Sequence, residues 1–245
     1  MKVHALTIFP EVFASFLTYS VIGKAIYKGH ATIDVVDFRT FSLDKHRKVD
    51  DYPYGGGAGM LLQVEPIHRA LTSIEGYQTA TKIVMTPQGT PLTQAVAERL
   101  SKSEHLIVLA GHYEGFDERV LGYFDEEISI GDYVLTGGEY PAMILLESVI
   151  RLLEGTLHNP ESTKHDSFQQ PRLEGAQYTR PEEYDGQRVP DVLVNGHHAL
   201  IQRFHQKESL KRTWLRRPEL LTDLRPDEQQ LLDEIKEELE ASKKL

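Results

Sequence analysis

No cysteine occurs anywhere in the 245 residues. Disulfides, thiolate zinc sites and a cysteine nucleophile are thereby excluded. Long apolar runs are also missing, and nothing approaches the ~18 consecutive apolar residues of a membrane span. The N-terminus, Met1-Lys2-Val3-His4-Ala5-Leu6-Thr7-Ile8-Phe9-Pro10-Glu11, is too short and too soon broken for a secretory signal. A soluble cytoplasmic protein with no membrane association is expected. Positive charge is in deficit: 27 Lys and Arg stand against 37 Asp and Glu, a net charge of −10. That argues against indiscriminate nucleic-acid binding and leaves room for a local basic face. No repeat or low-complexity tract breaks the chain. The 26% charged and 40% hydrophobic residues are ordinary for a globular protein of one or two domains.

The stretch around which the chain is organised runs from Glu127 to Met143. A short apolar run (Ile128, Ile130) opens it and Gly131-Asp132 turns the chain. Tyr133-Val134-Leu135 is β-rich, and Gly137-Gly138 permits a tight bend or a close approach to a ligand. An apolar helix follows from Glu139, with Pro141 tolerated in its first turn. Upstream, the buried-strand run 106–110 leads into a second glycine-bearing loop, Gly111-His112-Tyr113-Glu114-Gly115. Either one ligand is touched by both loops, as α/β proteins arrange it, or these are ordinary βα turns.

Taken in order, the periodicity predicts strands over 3–9, 31–38, 82–85 and 106–110. Helices are predicted over 11–27 with a break near Gly23, 65–74, 93–100, 117–124, and from Glu139 to about Leu153. Strands alternating with helices imply a largely parallel sheet covered on both faces, and topology rules alone point to a doubly wound sheet. The polar loop 39–59 carries Gly55-Gly56-Gly57-Ala58-Gly59 but no Gly-Lys-Ser/Thr ending, so it is not a P-loop. Residues 154–180 have almost no apolar periodicity and read as a linker. Beyond it, 198–210, 215–221 and 227–241 look helical.

Charge is sorted along this second half. Residues 197–217 hold Arg203, Lys207, Lys211, Arg212, Arg216 and Arg217 against Glu208 alone. Such a stretch fits a phosphate-backbone footprint or a solvated helix face. Trp214 could stack on a base or fill a core. His197-His198 has no carboxylate or third histidine at ligand spacing, so no metal residue is assigned.

Several runs together carry a resemblance. They are Asp50 to Gly57, Pro87-Gln88-Gly89, Tyr113-Glu114-Gly115-Phe116-Asp117-Glu118-Arg119, Ile130 to Met143, Asp166-Ser167-Phe168, Tyr178-Thr179-Arg180-Pro181, Gly196-His197-His198 and Arg212 to Leu220. In this order, across nearly the whole chain, they resemble the TrmD family of bacterial tRNA (guanine-N1)-methyltransferases, within the SPOUT superfamily. Departures are local: Glu154 stands where the family often has Pro, and Glu174 where an Asp also occurs.

The resemblance implies an α/β fold with a trefoil-knotted parallel sheet over 1–158, a flexible linker over 159–173, and a small helical tRNA-binding domain over 174–245. It implies a homodimer with its active site at the interface. S-adenosylmethionine would be held by Pro87, Gly111, Tyr113, Ile130, Gly131, Asp132, Tyr133, Val134, Leu135, Gly137 and Gly138. The tRNA would be held by Lys211, Arg212, Arg216 and Arg217. Asp166 matches the family's general base and Arg151 its partner for guanine O6. Family members also depend on Mg2+ for activity, with no dedicated ligand set visible here. The expected reaction is methylation of N1 of the guanosine immediately 3′ of the anticodon. A catalytically silent SPOUT-like protein that only binds tRNA or ribosomal RNA is the alternative.

Overall fold

The computed structural model describes residues 1–157 and 166–242. The chain divides into two compact units, Met1–Pro160 and Glu161–Leu245. The first unit contains β1 (Lys2–Thr7), α1 (Ala14–Thr18), α2 (Ser20–Tyr27), β2 (Thr32–Asp37), β3 (Asp50–Asp51), β4 (Leu61–Leu62), α3 (Val64–Ser73), β5 (Thr81–Pro91), α4 (Gln94–Leu100), β6 (His105–Ala110), β7 (Glu126–Ser129) and α5 (Glu139–Ile150).

Five strands form one sheet in the order β2-β1-β6-β5-β7, every pair parallel. Both faces of the inner strands are buried, which is why β6 reads as a continuous apolar run, while the edge strand β2 alternates with exposed residues. Alternation along each strand divides the core in two. Val3, Ala5, Ile83, Met85, Leu106 and Val108 face α1, α2, α4 and α5. Leu6, Val84, Ile107 and Leu109 face α3 and the Phe38 and Val120 side chains.

The order corrects the doubly wound expectation. Counting only the five sheet strands in chain sequence, they lie 2-1-4-3-5. A flavodoxin-like winding runs 2-1-3-4-5. Here β6 is inserted between β1 and β5, so the chain crosses back. Strand and helix alternation cannot foresee this, because it contains no information on which strands pair.

Several local expectations also change. The break in the first helical region falls at Tyr19, which is extended (φ −107°, ψ 151°). Gly23 lies inside α2 instead, where a Cβ would come 2.5 Å from the Thr18 carbonyl oxygen. Strand β5 does not stop at Met85. It bulges over residues 86–89 and pairs with β7 again through Thr90↔Ile128 and Pro91↔Ser129. Residues Glu118–Tyr123 form a 3-10 helix rather than an α-helix. Tyr133-Val134-Leu135, β-rich in sequence, is an exposed loop that pairs with no strand among the described residues.

Of the expected linker, residues 159–165 lie outside the described residues, while 166–173 are irregular. The second unit contains β8 (Glu183–Tyr184), β9 (Gln187–Arg188), α6 (Asp191–Val194), α7 (His198–Arg216) and α8 (Pro226–Ser242). Helices α7 and α8 pack through Leu210, Leu231 and Ile235. The helix expected over 215–221 is not separate. Helix α7 continues to Arg216, and Pro218 then forces a 3-10 turn, Pro218–Leu220. Among the described residues no helix is long and apolar enough to cross a membrane.

Candidate functional site

Beyond the C-terminal ends of β5, β6 and β7 lies a cavity of about 350 Å³, within the usual range for small-molecule sites. Three loops make its walls: the β5 bulge with Pro87 and Gln88, the loop after β6 from Gly111 to Phe116, and the loop after β7 from Ile130 to Gly138. Parallel sheets place ligand sites at this edge because the loops there converge on one crevice.

Glycine is required where two of these loops meet. The Gly138 N–H donates to the Gly111 carbonyl at 2.7 Å. A Cβ on Gly138 would sit 2.7 Å from the Gly111 nitrogen and 2.9 Å from the Ala110 Cα, both backbone atoms that cannot move aside cheaply. A Cβ on Gly111 would sit 2.3 Å from the Phe116 ring. The cavity therefore exists because two backbones touch without side chains.

Ten of the residues expected to hold a cofactor line this cavity: Pro87, Gly111, Tyr113, Ile130, Gly131, Tyr133, Val134, Leu135, Gly137 and Gly138. The eleventh, Asp132, is exposed and does not. Gln88, His112, Glu114, Glu118 and Glu127, which are not among the expected cofactor residues, also line it. His112 and Glu114 flank a residue that was singled out, so loop neighbourhood was the available signal. The three glutamates make a wall that favours a positively charged ligand. At the base of the loops Glu139 is buried, and its Oε1 accepts from the Thr7 hydroxyl at 2.8 Å.

Arg151 is the C-cap of α5 and does not line the cavity. Gly138 caps the other end of that helix. With a rise of 1.5 Å per residue these two caps stand about 20 Å apart, further than an arginine side chain extends.

Asp166 belongs to the second unit, in a segment that is tied to α7 and α8. Its carbonyl accepts from the Gln169 N–H at 3.2 Å. The Leu173 N–H donates to Thr213 Oγ1 at 2.9 Å, and Ser209 Oγ donates to the Leu173 carbonyl at 2.6 Å. Arg172 pairs with Glu228 at 2.7 Å. Burial would push the Glu228 carboxyl up. Its bonds from Arg172, the Arg225 backbone N–H and the Arg225 guanidinium outweigh that and hold it down at about 2.

The basic stretch of α7 is only partly available for a ligand. Arg203 pairs with Glu234, Lys207 with Glu238, and Lys211 approaches Glu208 at 3.8 Å. Arg217 pairs with Glu219 and lies 5.9 Å above the Phe168 ring. Among the described residues no ion pair is formed by Arg212 or Arg216. Trp214 is 39% exposed, with the Lys236 ammonium 4.7 Å over its ring, so it is not a core residue. Among the described residues no group of three or more histidines or carboxylates converges as a metal site would, and no residue is assigned to Mg2+.

A family model described as tRNA (Guanine-1)-methyltransferase TrmD matches residues 1–223. A tRNA (guanine-N(1)-)-methyltransferase of Dictyoglomus turgidum is 48% identical over 241 residues, covering 98% of both chains. One of Lacticaseibacillus paracasei is 50% identical over 247 residues, covering 99% of this chain and 96% of its own. One of Halalkalibacterium halodurans is 49% identical over 245 residues, covering 98% and 100%.

Proposed function

The chain belongs to the tRNA (guanine-1)-methyltransferase TrmD family, and from that premise we propose that it transfers a methyl group from S-adenosylmethionine to N1 of guanine in tRNA, at the guanosine immediately 3′ of the anticodon. The observation that carries the reading is the cavity between the glycine loops. Its volume, its backbone-lined contact at Gly111 and Gly138, and its acidic lining suit a nucleoside that bears a cationic sulfur and an ammonium group. Pro87, Gly111, Tyr113 and the loop from Ile130 to Gly138 would hold it. When bound, S-adenosylmethionine supplies a methyl group that already carries its leaving group.

The chain's own residues supply the rest. Guanine N1 holds a proton at neutral pH and is a poor nucleophile. Asp166 accepts that proton as N1 forms its bond to the methyl carbon and the carbon–sulfur bond breaks. Negative charge then develops on O6, and the Arg151 guanidinium stabilises it. The products are N1-methylguanine and S-adenosylhomocysteine, with the proton left on Asp166. Residues 174–245, with Lys211, Arg212, Arg216 and Arg217, would bind the tRNA backbone.

Arg151 is too far along α5 to reach its own chain's cavity, and this supports a homodimer in which a second chain completes the site. The large exposed side chains beside the cavity, Val134 (88% exposed) and Tyr140 (65%), support a covering partner as well. The insertion of β6 between β1 and β5, with the 130–138 loop bridged to the 111–112 turn, supports the knotted arrangement implied by the SPOUT resemblance. We place the enzyme in the cytoplasm, where its substrate is.

Transfer of a labelled methyl group from S-adenosylmethionine to a tRNA transcript tests the reading. A methyl group on N1 blocks Watson–Crick pairing, so reverse transcription should stop beside the anticodon. Label incorporated with no stop at that guanosine assigns another position or RNA. Binding of tRNA with no incorporation assigns a silent RNA-binding protein.

A further inference from the structure

His112 stands between Gly111 and Tyr113 and lines the same cavity. Its ring is fixed on several sides. The Phe9 ring meets it edge-on at 4.8 Å and the Tyr113 ring at 5.0 Å. Gly137 closes against it through a backbone bridge, and a Cβ on Gly137 would sit 2.7 Å from His112 Nδ1 and 2.3 Å from Glu139 Oε2.

The two ring nitrogens have different surroundings. Nδ1 is buried and has no hydrogen-bond partner. It faces Glu139 Oε2 at 3.9 Å, and the Glu139 side chain is only 6% exposed. The other carboxylate oxygen is held by the Thr7 hydroxyl, which itself accepts from the Phe9 N–H at 2.9 Å. The Thr7 proton is thus committed to the carboxylate. An ionised carboxylate can only accept, so Nδ1 must carry a proton for this pair to attract. A neutral imidazole protonated on Nδ1 has a bare Nε2. Because Nδ1 is buried, the accessible 24% of the side chain lies on the rest of the ring.

We propose that His112, its tautomer set by Glu139 and Thr7, presents Nε2 to the cavity as the acceptor for an O–H or N–H donor on the nucleoside part of the bound cofactor. Glu139 and Thr7 are positioning residues in this arrangement, and His112 makes the contact. The proposal rests on S-adenosylmethionine being the ligand of this cavity. It adds a side-chain contact that selects the nucleoside to a site whose loops meet through backbone.

Calorimetric titration with S-adenosylhomocysteine tests it, because the product binds without turnover. His112→Gln keeps an acceptor near the Nε2 position and should stay within about threefold of the wild type. His112→Asn, which reaches only the Nδ1 position, and His112→Phe should each lose about tenfold or more, the effect of one hydrogen bond. An inosine analogue lacking the exocyclic amine separates the two possible donors. If the amine is the donor, the analogue loses affinity in the wild type but not in His112→Phe. If a ribose hydroxyl is the donor, both lose equally.

Nitrogen-15 resonances of the wild-type protein give a readout independent of variant folding. His112, assigned by the signals missing from His112→Gln, should show the Nδ1–H tautomer, and Glu139→Gln should reduce its population. Wild-type affinity in His112→Phe, or an Nε2–H tautomer in the wild type, overturns the proposal alone. A wild-type protein that does not bind S-adenosylhomocysteine overturns the cofactor reading together with it.

Discussion

On the proposed mechanism the chemistry depends on Asp166 and Arg151, and neither stands out by composition. Each is one of many carboxylates or guanidiniums in an acidic chain, and only the match of neighbouring runs gives them roles. Asp166→Asn keeps the shape and removes the proton acceptor. Single-turnover methyl transfer should fall by about 10²–10⁴, while affinity for S-adenosylhomocysteine stays near normal. A near-normal rate would remove Asp166 from the mechanism. Glu228 makes a different kind of prediction. Its carboxyl is held at about 2 in the folded state, below the ordinary 4.5. Its contribution to stability is therefore complete above pH 4.5 and is lost as pH falls towards 2. Glu228→Gln should leave the half-buried Arg172 without its charged partner, while Arg225 keeps Asp227, and destabilise the second unit by about 3 kcal/mol. It should also flatten the acid limb of a denaturation-against-pH curve over that window. An unchanged acid limb would show that the pair is solvent-screened.

At the scale of elements, the sequence carried much of the first unit because its elements bury a periodic face. Strands β1, β2 and β6 and helices α3 and α4 lie within a residue or two of their predicted bounds, since apolar runs and the Thr93 cap are local signals. The failures were non-local. Tyr133-Val134-Leu135 has strand residues but pairs with no strand among the described residues, and β5 continues past its bulge because β7 lies alongside. The order of strands in the sheet, and hence which loops meet at the cavity, depends on pairings that no window of sequence displays. The glycines at 111, 137 and 138 did mark the loops that meet there, because close approach demands glycine. His112 is visible in the sequence only as a member of the 111–115 loop, because the Phe9 and Glu139 side chains around its ring are remote in sequence. The basic helix is similar: its charges were visible, but their ion pairs with α8 were not. Arg212 and Arg216 are accordingly the better candidates for phosphate contact than Arg203 or Lys207. Replacing both with Ala should weaken tRNA binding and reduce the slope of log affinity against log salt by roughly 1 to 2. Affinity for S-adenosylhomocysteine should not change. Unaltered tRNA affinity and salt slope would make them a solvated face.

For the whole molecule, the cavity and Asp166 lie in different compact units, and Arg151 lies at the far end of α5 from the glycine loops. If the proposed chemistry holds, either one chain folds over on itself or a second chain supplies the base, and the homodimer proposed above assigns the base to the second chain. Mixed dimers test it most directly. One chain carries Gly137→Val, whose side chain would intrude on Glu139 and His112 and close the cavity. The other carries Asp166→Ala. Each homodimer should be inactive. If the site is shared, a mixed dimer holds one doubly damaged site and one with an intact cavity and an intact base, and methyl transfer should return to about half the wild-type rate per dimer. Activity that stays at background, with heterodimers shown to have formed, would contradict a shared site and put each cavity and its Asp166 on the same chain.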